Sequence, residues 1–157
     1  MNFLFFGLGS IGQRHLRNLI KLDRKCKIYA LRKKYSTPLL DHRNRVLAGN
    51  LEKKYNVTSI KKLEFLKKNL IKIDAAFICN PSSMHVSTAE WCIKRNIPIF
   101  VEKPVATNTK DLQKINKLIK SKKNFSLSTP NRLIIVFQGL DRQVEIKSEE
   151  IKGPSTS

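Results

Sequence analysis

The sequence predicts an α/β domain built on a doubly wound parallel sheet. Short apolar segments alternate with longer amphipathic ones, and a glycine-rich turn joins the first of them to the next. Several later apolar segments are continuous, which is typical of parallel strands buried on both faces. The chain has 157 residues, 41% of them hydrophobic, which is enough for one domain with a sizeable core.

The glycine-rich turn follows the first predicted strand, Asn2–Phe6, and precedes a helix predicted over residues 11–22. Its spacing is Gly-x-Gly-x-x-Gly, in which the first glycine permits a sharp turn and the second lets the backbone approach a pyrophosphate. The third glycine allows the helix to pack closely on its strand, and the N–H groups of the helix N-terminus then face the phosphates. The cofactor-binding residues predicted at this turn are Gly7, Gly9, Ser10, Ile11 and Gly12.

Hydrophobic period and flanking turn residues assign the other elements. Further strands are predicted over residues 27–31, 57–60, 74–79, 97–101 and 125–129. Further helices are predicted over residues 38–54, 61–69, 83–95 and 108–122.

Two cations follow the second predicted strand, where a dinucleotide fold places the adenosine ribose. A carboxylate about 20 positions beyond the glycines would bind the 2′-hydroxyl and favour NAD. The strand ends instead in Leu31-Arg32-Lys33-Lys34, so that Arg32 and Lys33 would bind a 2′-phosphate by charge-assisted hydrogen bonds and favour NADP. The alternative is that both are ordinary surface cations of a lysine-rich chain.

Polar residues also follow two later strands, at the sheet edge where ligands bind in such folds. Asn80-Pro81-Ser82 comes directly after one strand, and His85 stands near the start of the following helix. Glu102-Lys103-Pro104 comes after the next strand, and proline at both places directs the chain out of the sheet. Alone, His85 would more often be a helix-start residue and Lys103 a surface lysine.

The net charge of +19 allows two interpretations. An anionic partner such as nucleic acid is one, and a lysine-heavy solvated surface is the other. The lysines are scattered in pairs, and aromatic residues do not alternate with them as in a single-strand stacking platform. Specific nucleic-acid binding is therefore the less favoured interpretation.

The cysteines and the N-terminus indicate a cytoplasmic protein. Cys26, Cys79 and Cys92 match neither a zinc-site spacing nor a disulfide framework, and no metal site is predicted. Cys79 and Cys92 are expected to be buried thiols in a reducing compartment. No apolar run approaches the ~20 residues that span a bilayer. Residues 1–12 lack the pattern of a secretory signal.

The motif Gly-x-Gly-x-x-Gly-x-Arg-His, which ends at His15, is specific when it is paired with Glu102-Lys103-Pro104. Asn80-Pro81 with His85 stands between the two at a suitable spacing. In this order the sequence resembles the N-terminal half of the Gfo/Idh/MocA oxidoreductases, the glucose-fructose oxidoreductase and inositol dehydrogenase family. The resemblance covers residues 2 to about 122. It implies a Rossmann domain that binds NAD or NADP, with hydride transfer at a carbinol carbon of a sugar or cyclitol.

The resemblance also implies functions for the strand-end residues. It places Asn80, Pro81, Ser82 and His85 at the border of the cofactor, together with Glu102 and Lys103 of the Glu-Lys-Pro motif. Lys103 would lie beside the nicotinamide and the substrate hydroxyl, where a compact cation polarises the oxygen or assists proton transfer. His85 and Lys103 are thus the predicted catalytic residues.

The resemblance ends where the family continues into a second α/β domain that supplies the substrate pocket and the oligomer contacts. Residues 1–129 are predicted to form the Rossmann domain, and residues 130–157 an unpatterned tail in which Leu133–Phe137 would need a partner. A truncated form, from a frameshift near residues 124–130, is one hypothesis for this ending, and a single-domain cofactor binder is another. The oligomeric state is left open.

Three functions follow from these observations. The first is an NAD(P)-dependent oxidoreductase acting on a sugar or sugar derivative, present here mainly as its nucleotide-binding half. The second is a dinucleotide-binding module without turnover. The third is a basic protein that binds nucleic acid.

Overall fold

The computed structural model describes residues 1–32, 37–121, 126–128 and 134–137. Its strands are β1 Asn2–Phe6, β2 Lys27–Leu31, β3 Leu39–Leu40, β4 Val46–Leu47, β5 Val57–Ile60, β6 Ala75–Ile78, β7 Ile99–Val101, β8 Ser126–Ser128 and β9 Ile134–Phe137. Its helices are α1 Ser10–Leu22, α2 Leu51–Tyr55, α3 Glu64–Lys68, α4 His85–Lys94 and α5 Thr109–Lys120, with a 3-10 turn at Ser82–Met84 before α4. In these described ranges no helix combines the length and apolar character needed to cross a membrane.

One sheet organises the fold, with strand order β5-β2-β1-β6-β7-β9-β8. The strands from β5 to β7 are parallel, which confirms the predicted α/β class. At the other edge β9 pairs antiparallel with β7 and with β8, an arrangement that the sequence does not predict. β9 lies within the segment expected to be an unpatterned tail. Strand order reverses between β1 and β6, so that the sheet opens a crevice between the carboxyl ends of these two strands.

The alternation of side chains along β1 divides the core into two layers. Leu4 and Phe6 pack on one face with residues of α3, α4 and α5. Phe3 and Phe5 pack on the opposite face with residues of α1 and α2. Helices therefore cover both faces of the parallel strands, and the prediction of a doubly wound sheet is confirmed.

The helix predicted over residues 38–54 is wrong over most of its length. A short hairpin of β3 and β4 occupies the first part, and only α2 at its end is helical. The Asp41 carboxylate accepts hydrogen bonds from the backbone N–H groups of Arg43 and Arg45, both at 2.8 Å, which fixes the turn. Gly49 has φ +121°, which an α-helix cannot contain. The apolar residues at helical spacing thus belong to a hairpin, because local hydrogen bonds to Asp41 compete with the helix.

Gln13 fastens this hairpin to α1. Its side chain is fully buried, and its amide nitrogen donates to the carbonyl oxygens of Leu8 at 3.1 Å and Pro38 at 2.9 Å. Its amide oxygen accepts from the backbone N–H of Leu40 at 2.8 Å. One side chain therefore satisfies three backbone groups and fixes the chain that returns from the end of β2.

Replacing Gln13 by alanine is expected to lower the free energy of unfolding by about 2–4 kcal/mol, because three backbone partners lose their hydrogen bonds and a buried volume empties. Chemical denaturation of both proteins measures the difference. Asn18→Ala, at an exposed position of the same helix, is the matched control and should change stability by no more than ~0.5 kcal/mol. Equal stability of Gln13→Ala and the control would contradict the bridging function of Gln13.

Candidate functional site

A cavity of about 680 Å³ lies at the carboxyl ends of β1, β2 and β6, where the strand order reverses. Its walls come from the turn after β1, the end of β2, the start of the hairpin segment and the segment after β6. The lining residues are Phe6, Gly7, Leu8, Gly9, Leu31, Arg32, Thr37, Cys79, Asn80, Pro81 and Met84. Mostly apolar walls with a few polar groups are typical of a small-molecule site.

The turn after β1 is packed too tightly for side chains at two of its glycines. Gly7 has φ +94°, and a Cβ there would lie 2.9 Å from the carbonyl oxygen of Cys79. A Cβ on Gly12 would lie 2.5 Å from the carbonyl oxygen of Gly7, which is closer than atoms can approach without a shift of the backbone. Both glycines are therefore required by contacts inside the protein, and they hold the start of α1 against the sheet.

Gly9 has a different environment. A Cβ built on it meets no atom within 4 Å, and its φ of −66° is accessible to any residue. The fold itself therefore gives no steric reason for glycine at this position, whereas the close approach of a ligand to the backbone would give one. The open side of Gly9 belongs to the cavity wall.

Gly9 is also the N-cap of α1, so that the N-terminus of this helix opens beside the cavity. The first intrahelical bond runs from the N–H of Gln13 to the carbonyl oxygen of Gly9 at 2.9 Å, and no side chain caps the helix. The N–H groups of Ser10, Ile11 and Gly12 therefore have no acceptor within the helix. These N–H groups and the positive end of the helix dipole attract an anion, and no acidic side chain in the first turn opposes it.

Arg32 lies at the end of β2 and lines the cavity, but its side chain is only 3% exposed. Its Nη1 donates to Glu52 Oε1 at 2.9 Å and to Ser59 Oγ at 3.3 Å. The guanidinium is thus held by α2 and β5 at the same time as it borders the cavity. Lys33, the other cation predicted to bind the 2′-phosphate, lies outside the described residues.

Asn80 lines the cavity after β6. Its amide nitrogen donates to Thr88 Oγ1 at 3.0 Å, which fixes the side chain against α4. Its side-chain oxygen is buried and has no hydrogen-bond partner in the described part of the chain. An unsatisfied buried acceptor is costly, so that a donor supplied by a ligand at this wall would stabilise it.

Cys79 contributes an inert wall to the same cavity. Burial, together with the negative charge of Glu102, raises the pKa of the Cys79 thiol to about 12. The sulfur is therefore protonated at neutral pH and serves as an apolar surface rather than as a nucleophile.

His85 connects the segments that follow β6 and β7. Its Nε2 lies 2.8 Å from the carbonyl oxygen of Asn80, and its Nδ1 lies 2.8 Å from the carbonyl oxygen of Pro104. The side chain is 2% exposed, and both ring nitrogens face backbone acceptors. A neutral imidazole donates to one carbonyl only, whereas the doubly protonated ring donates to both. This geometry favours a positioning function for His85 over the predicted catalytic one.

Glu102 connects the Glu-Lys-Pro segment to α1. His15 Nε2 lies 2.5 Å from Glu102 Oε1, and the backbone N–H of Lys103 donates to Glu102 Oε2 at 3.2 Å. The His15 ring also packs against Phe100, with 4.6 Å between ring centroids. The contact between His15 and Glu102 joins the two motifs that are 87 residues apart in sequence. Lys103 itself is exposed, and its peptide bond to Pro104 is cis.

The structure brings some of the predicted residues together and leaves others outside the cavity wall. Predicted residues that line it are Gly7, Gly9, Arg32, Asn80 and Pro81. Predicted residues that are described but do not line it are Ser10, Ile11, Gly12, Ser82, His85, Glu102 and Lys103.

Sequence reasoning missed several walls of the cavity. Leu31 and Cys79 are strand ends, and their position beside the predicted site residues was a usable signal. The positions of Thr37 and Met84 in the wall depend on how the chain after β2 and after β6 folds back towards the cavity, which the sequence pattern does not indicate. In the residues that the structure describes, no group of His, Cys, Asp or Glu is arranged to bind a metal ion.

A family model described as "Oxidoreductase family, NAD-binding Rossmann fold" matches residues 1–129. No curated protein matches the chain significantly. Among solved structures, the myo-inositol 2-dehydrogenase of Lactobacillus plantarum is 25% identical, with a TM-score of 0.58 over 79% of this chain and 34% of that one.

Two further solved structures show the same fold at lower identity. The WlbA dehydrogenase of Chromobacterium violaceum, solved with NADH and UDP-GlcNAcA, is 18% identical with a TM-score of 0.60, covering 77% of this chain and 32% of that one. The D-galactose-1-dehydrogenase of Rhizobium etli is 20% identical with a TM-score of 0.54, covering 76% and 34%. The chain thus spans about a third of the length of these structures.

The contacts at the turn predict opposite results for two alanine variants. Gly12→Ala is expected to lower the free energy of unfolding by about 2–3 kcal/mol, because its Cβ displaces the backbone of Gly7. Gly9→Ala should cost no more than about 1 kcal/mol, because its Cβ enters open space and only the poorer N-cap preference of alanine acts against it. Chemical denaturation of the two variants measures both values. An equal loss in both would contradict the distinction between a glycine required by the fold and one that faces the cavity.

Proposed function

Because the chain belongs to the oxidoreductase family with the NAD-binding Rossmann fold, whose model matches residues 1–129, we propose that the cavity binds NAD or NADP. We further propose that the whole protein moves a hydride between the nicotinamide and a carbinol or carbonyl carbon of a sugar, cyclitol or sugar derivative. The observation that carries the proposal is the turn at Gly9, where an uncapped helix N-terminus and a glycine without steric need meet in one cavity wall.

The pyrophosphate is proposed to bind at this turn. The N–H groups of Ser10, Ile11 and Gly12 are available to phosphate oxygens, and the positive end of the α1 dipole adds to the attraction. The missing side chain of Gly9 leaves room for the phosphates to reach these groups. Ser10, Ile11 and Gly12 are thus proposed to bind the cofactor through their backbone alone.

The adenosine is proposed to lie towards β2, between Leu31 and Thr37 of the cavity wall. Arg32 at this end supports binding of a 2′-phosphate, as does Lys33 from its position in the sequence, and both favour NADP. The bond from Arg32 to Glu52 supports the opposite preference, because it places a carboxylate beside the same guanidinium. We therefore propose that the site accepts both dinucleotides, with NADP slightly favoured.

The nicotinamide is proposed to lie towards Asn80 and Pro81, with Lys103 beyond the described wall of the cavity. The bound dinucleotide supplies the hydride chemistry, and the protein supplies orientation and electrostatics. The buried oxygen of Asn80 is available to a hydroxyl or amide donor. The ammonium of Lys103 stabilises developing negative charge on a substrate oxygen, and His85 and Glu102 hold the segments on either side of it.

A dinucleotide-binding module without turnover is the second candidate. The observation in its favour is that the chain covers only 34% of the length of the inositol dehydrogenase structure that it resembles. Addition of a polyol or ketose to the chain saturated with cofactor distinguishes the two candidates. Binding without any change in nicotinamide absorbance would select the module.

Calorimetric titration of the 157-residue chain with NADH and NADPH tests the proposal. Gly9→Val is expected to weaken both dinucleotides by at least ~100-fold while the fold is retained, because its branched side chain fills the proposed path of the phosphates. Thr58→Val, which places the same side chain at an exposed position of β5 outside the cavity wall, is the control and should bind as the wild type does. Equal affinities of wild type and Gly9→Val, or no heat from either dinucleotide with folded wild type, would contradict the proposed function.

Replacing Arg32 by glutamine is expected to weaken NADPH about tenfold and NADH by less than ~twofold, because only NADPH carries the phosphate that the guanidinium would bind. The same titration measures both constants. Arg24→Gln removes the same charge from an exposed position after α1 and should leave the ratio of the two unchanged. An equal loss for both dinucleotides in Arg32→Gln would contradict a 2′-phosphate contact.

A further inference from the structure

Glu52 contacts Arg32, the cation at the end of the cavity where the adenosine is proposed to lie, although no sequence motif indicates this carboxylate. It lies in the first turn of α2, 20 residues after Arg32, and its Oε1 accepts from Arg32 Nη1 at 2.9 Å. Ser59 on β5 donates its hydroxyl to the same oxygen at 2.6 Å. The carboxylate is therefore fixed from two sides, and it bonds directly to the cation that borders the cavity.

The burial of the two side chains differs in a way that bears on ligand choice. Arg32 is 3% exposed and Glu52 is 32% exposed, so that the carboxylate keeps contact with solvent while the guanidinium does not. Arg32 lines the cavity, whereas Glu52 is not among the lining residues and bonds to Arg32 from behind it. A ligand phosphate and the Glu52 carboxylate would then compete for one guanidinium, and their negative charges would repel each other.

We propose that Glu52 is a specificity-determining residue, whose carboxylate holds the Arg32 guanidinium and opposes the 2′-phosphate of NADP. The inference rests on the proposed binding of a nicotinamide dinucleotide in this cavity. Its consequence is that the protein discriminates less against NAD than the sequence Arg32-Lys33 implies. Removing the charge of Glu52 should convert the site to one that prefers NADP clearly.

Glu52→Gln tests the inference, because the amide oxygen still accepts from Arg32 and from Ser59 while the negative charge is lost. A 2′-phosphate bound on the far side of the Arg32 guanidinium would lie about 7 Å from the Glu52 carboxylate. The repulsion between two unit charges at that distance corresponds to a roughly threefold to fiftyfold change in affinity, for effective dielectric constants between that of water and that of a protein surface. We expect the NADPH affinity to rise within that range and the NADH affinity to stay within ~twofold. Calorimetric titrations of the full chain with NADH and NADPH give both constants.

Glu64→Gln is the matched control, since it removes an equal charge in the first turn of α3, from an exposed residue outside the cavity wall. It should leave the ratio of the two affinities unchanged. Glu52→Ala is the second variant, with a side chain that favours the helix, and it should raise the ratio as Glu52→Gln does. Thermal unfolding monitored by circular dichroism shows that each variant is folded before it is titrated.

The outcomes are distinguishable. A rise in the NADPH-to-NADH affinity ratio in both Glu52 variants, absent in Glu64→Gln, supports the inference. Binding of both dinucleotides with an unchanged ratio overturns it and leaves the proposed function standing. A fall in the ratio overturns it as well, since Glu52 would then position Arg32 for the phosphate. No binding of either dinucleotide to the wild type overturns the proposed function and this inference together.

Discussion

The close contact between Gly12 and the carbonyl oxygen of Gly7 determines where the N-terminus of α1 lies. A Cβ on Gly12 would lie 2.5 Å from that oxygen, so that only glycine lets the helix begin this close to the strand end. The turn reverses the chain within a few residues, because Gly7 adopts φ +94°. The helix N-terminus consequently opens at the reversal of strand order, next to the segment after β6. Gly9 lies between Gly7 and Gly12 in sequence and faces the cavity, and a Cβ there would meet no protein atom within 4 Å.

Two histidines hold the other loops in place around this turn. His15 binds Glu102 and thereby attaches the Glu-Lys-Pro segment to the same helix that presents its amides to the cavity. His85 spans the carbonyl oxygens of Asn80 and Pro104, which lie 24 residues apart in the printed sequence. Motifs far apart in the chain are in this way fixed relative to each other by side-chain to backbone and side-chain to side-chain hydrogen bonds. Hydrogen-bonded polar groups of this kind fix the relative positions of the segments that they join.

Much of the fold follows from sequence because its signals are local and agree with one another. The apolar run of β1, the glycine spacing and the amphipathic α1 each indicate the same corner, and the parallel strands are apolar enough to be recognised alone. The hairpin was missed because Leu39, Leu40, Val46 and Leu47 also fit a helical period, and the hydrogen bonds of Asp41 and Gln13 that decide against a helix are partly long-range. β9 was missed because its pairing with β7 joins residues 33 to 37 positions apart, as Ile99 pairs with Val136 and Val101 with Ile134.

The candidate site was predictable to a smaller extent. Gly7, Gly9, Arg32, Asn80 and Pro81 line the cavity as residues at strand ends should, since the carboxyl ends of parallel strands meet at one edge. The bond between Arg32 and Glu52 has no signature in the sequence, because it depends on how α2 and β5 pack beside the end of β2. The burial of His85 between two carbonyl oxygens is likewise a property of the folded loops. The family resemblance implied a catalytic imidazole, which stays a prediction, and the folded loops place both of its ring nitrogens against backbone carbonyl oxygens.

The function proposed for the cavity depends most on whether the free amides at the start of α1 receive the pyrophosphate of a nicotinamide dinucleotide. Titration of the isotopically labelled chain with NADH, followed by amide nuclear magnetic resonance, measures this directly. The largest shifts are expected at the amides of Gly9, Ser10, Ile11 and Gly12, with smaller shifts at Asn80. Shifts confined to other surfaces, such as the lysine pairs, or no shifts at saturating NADH would contradict it.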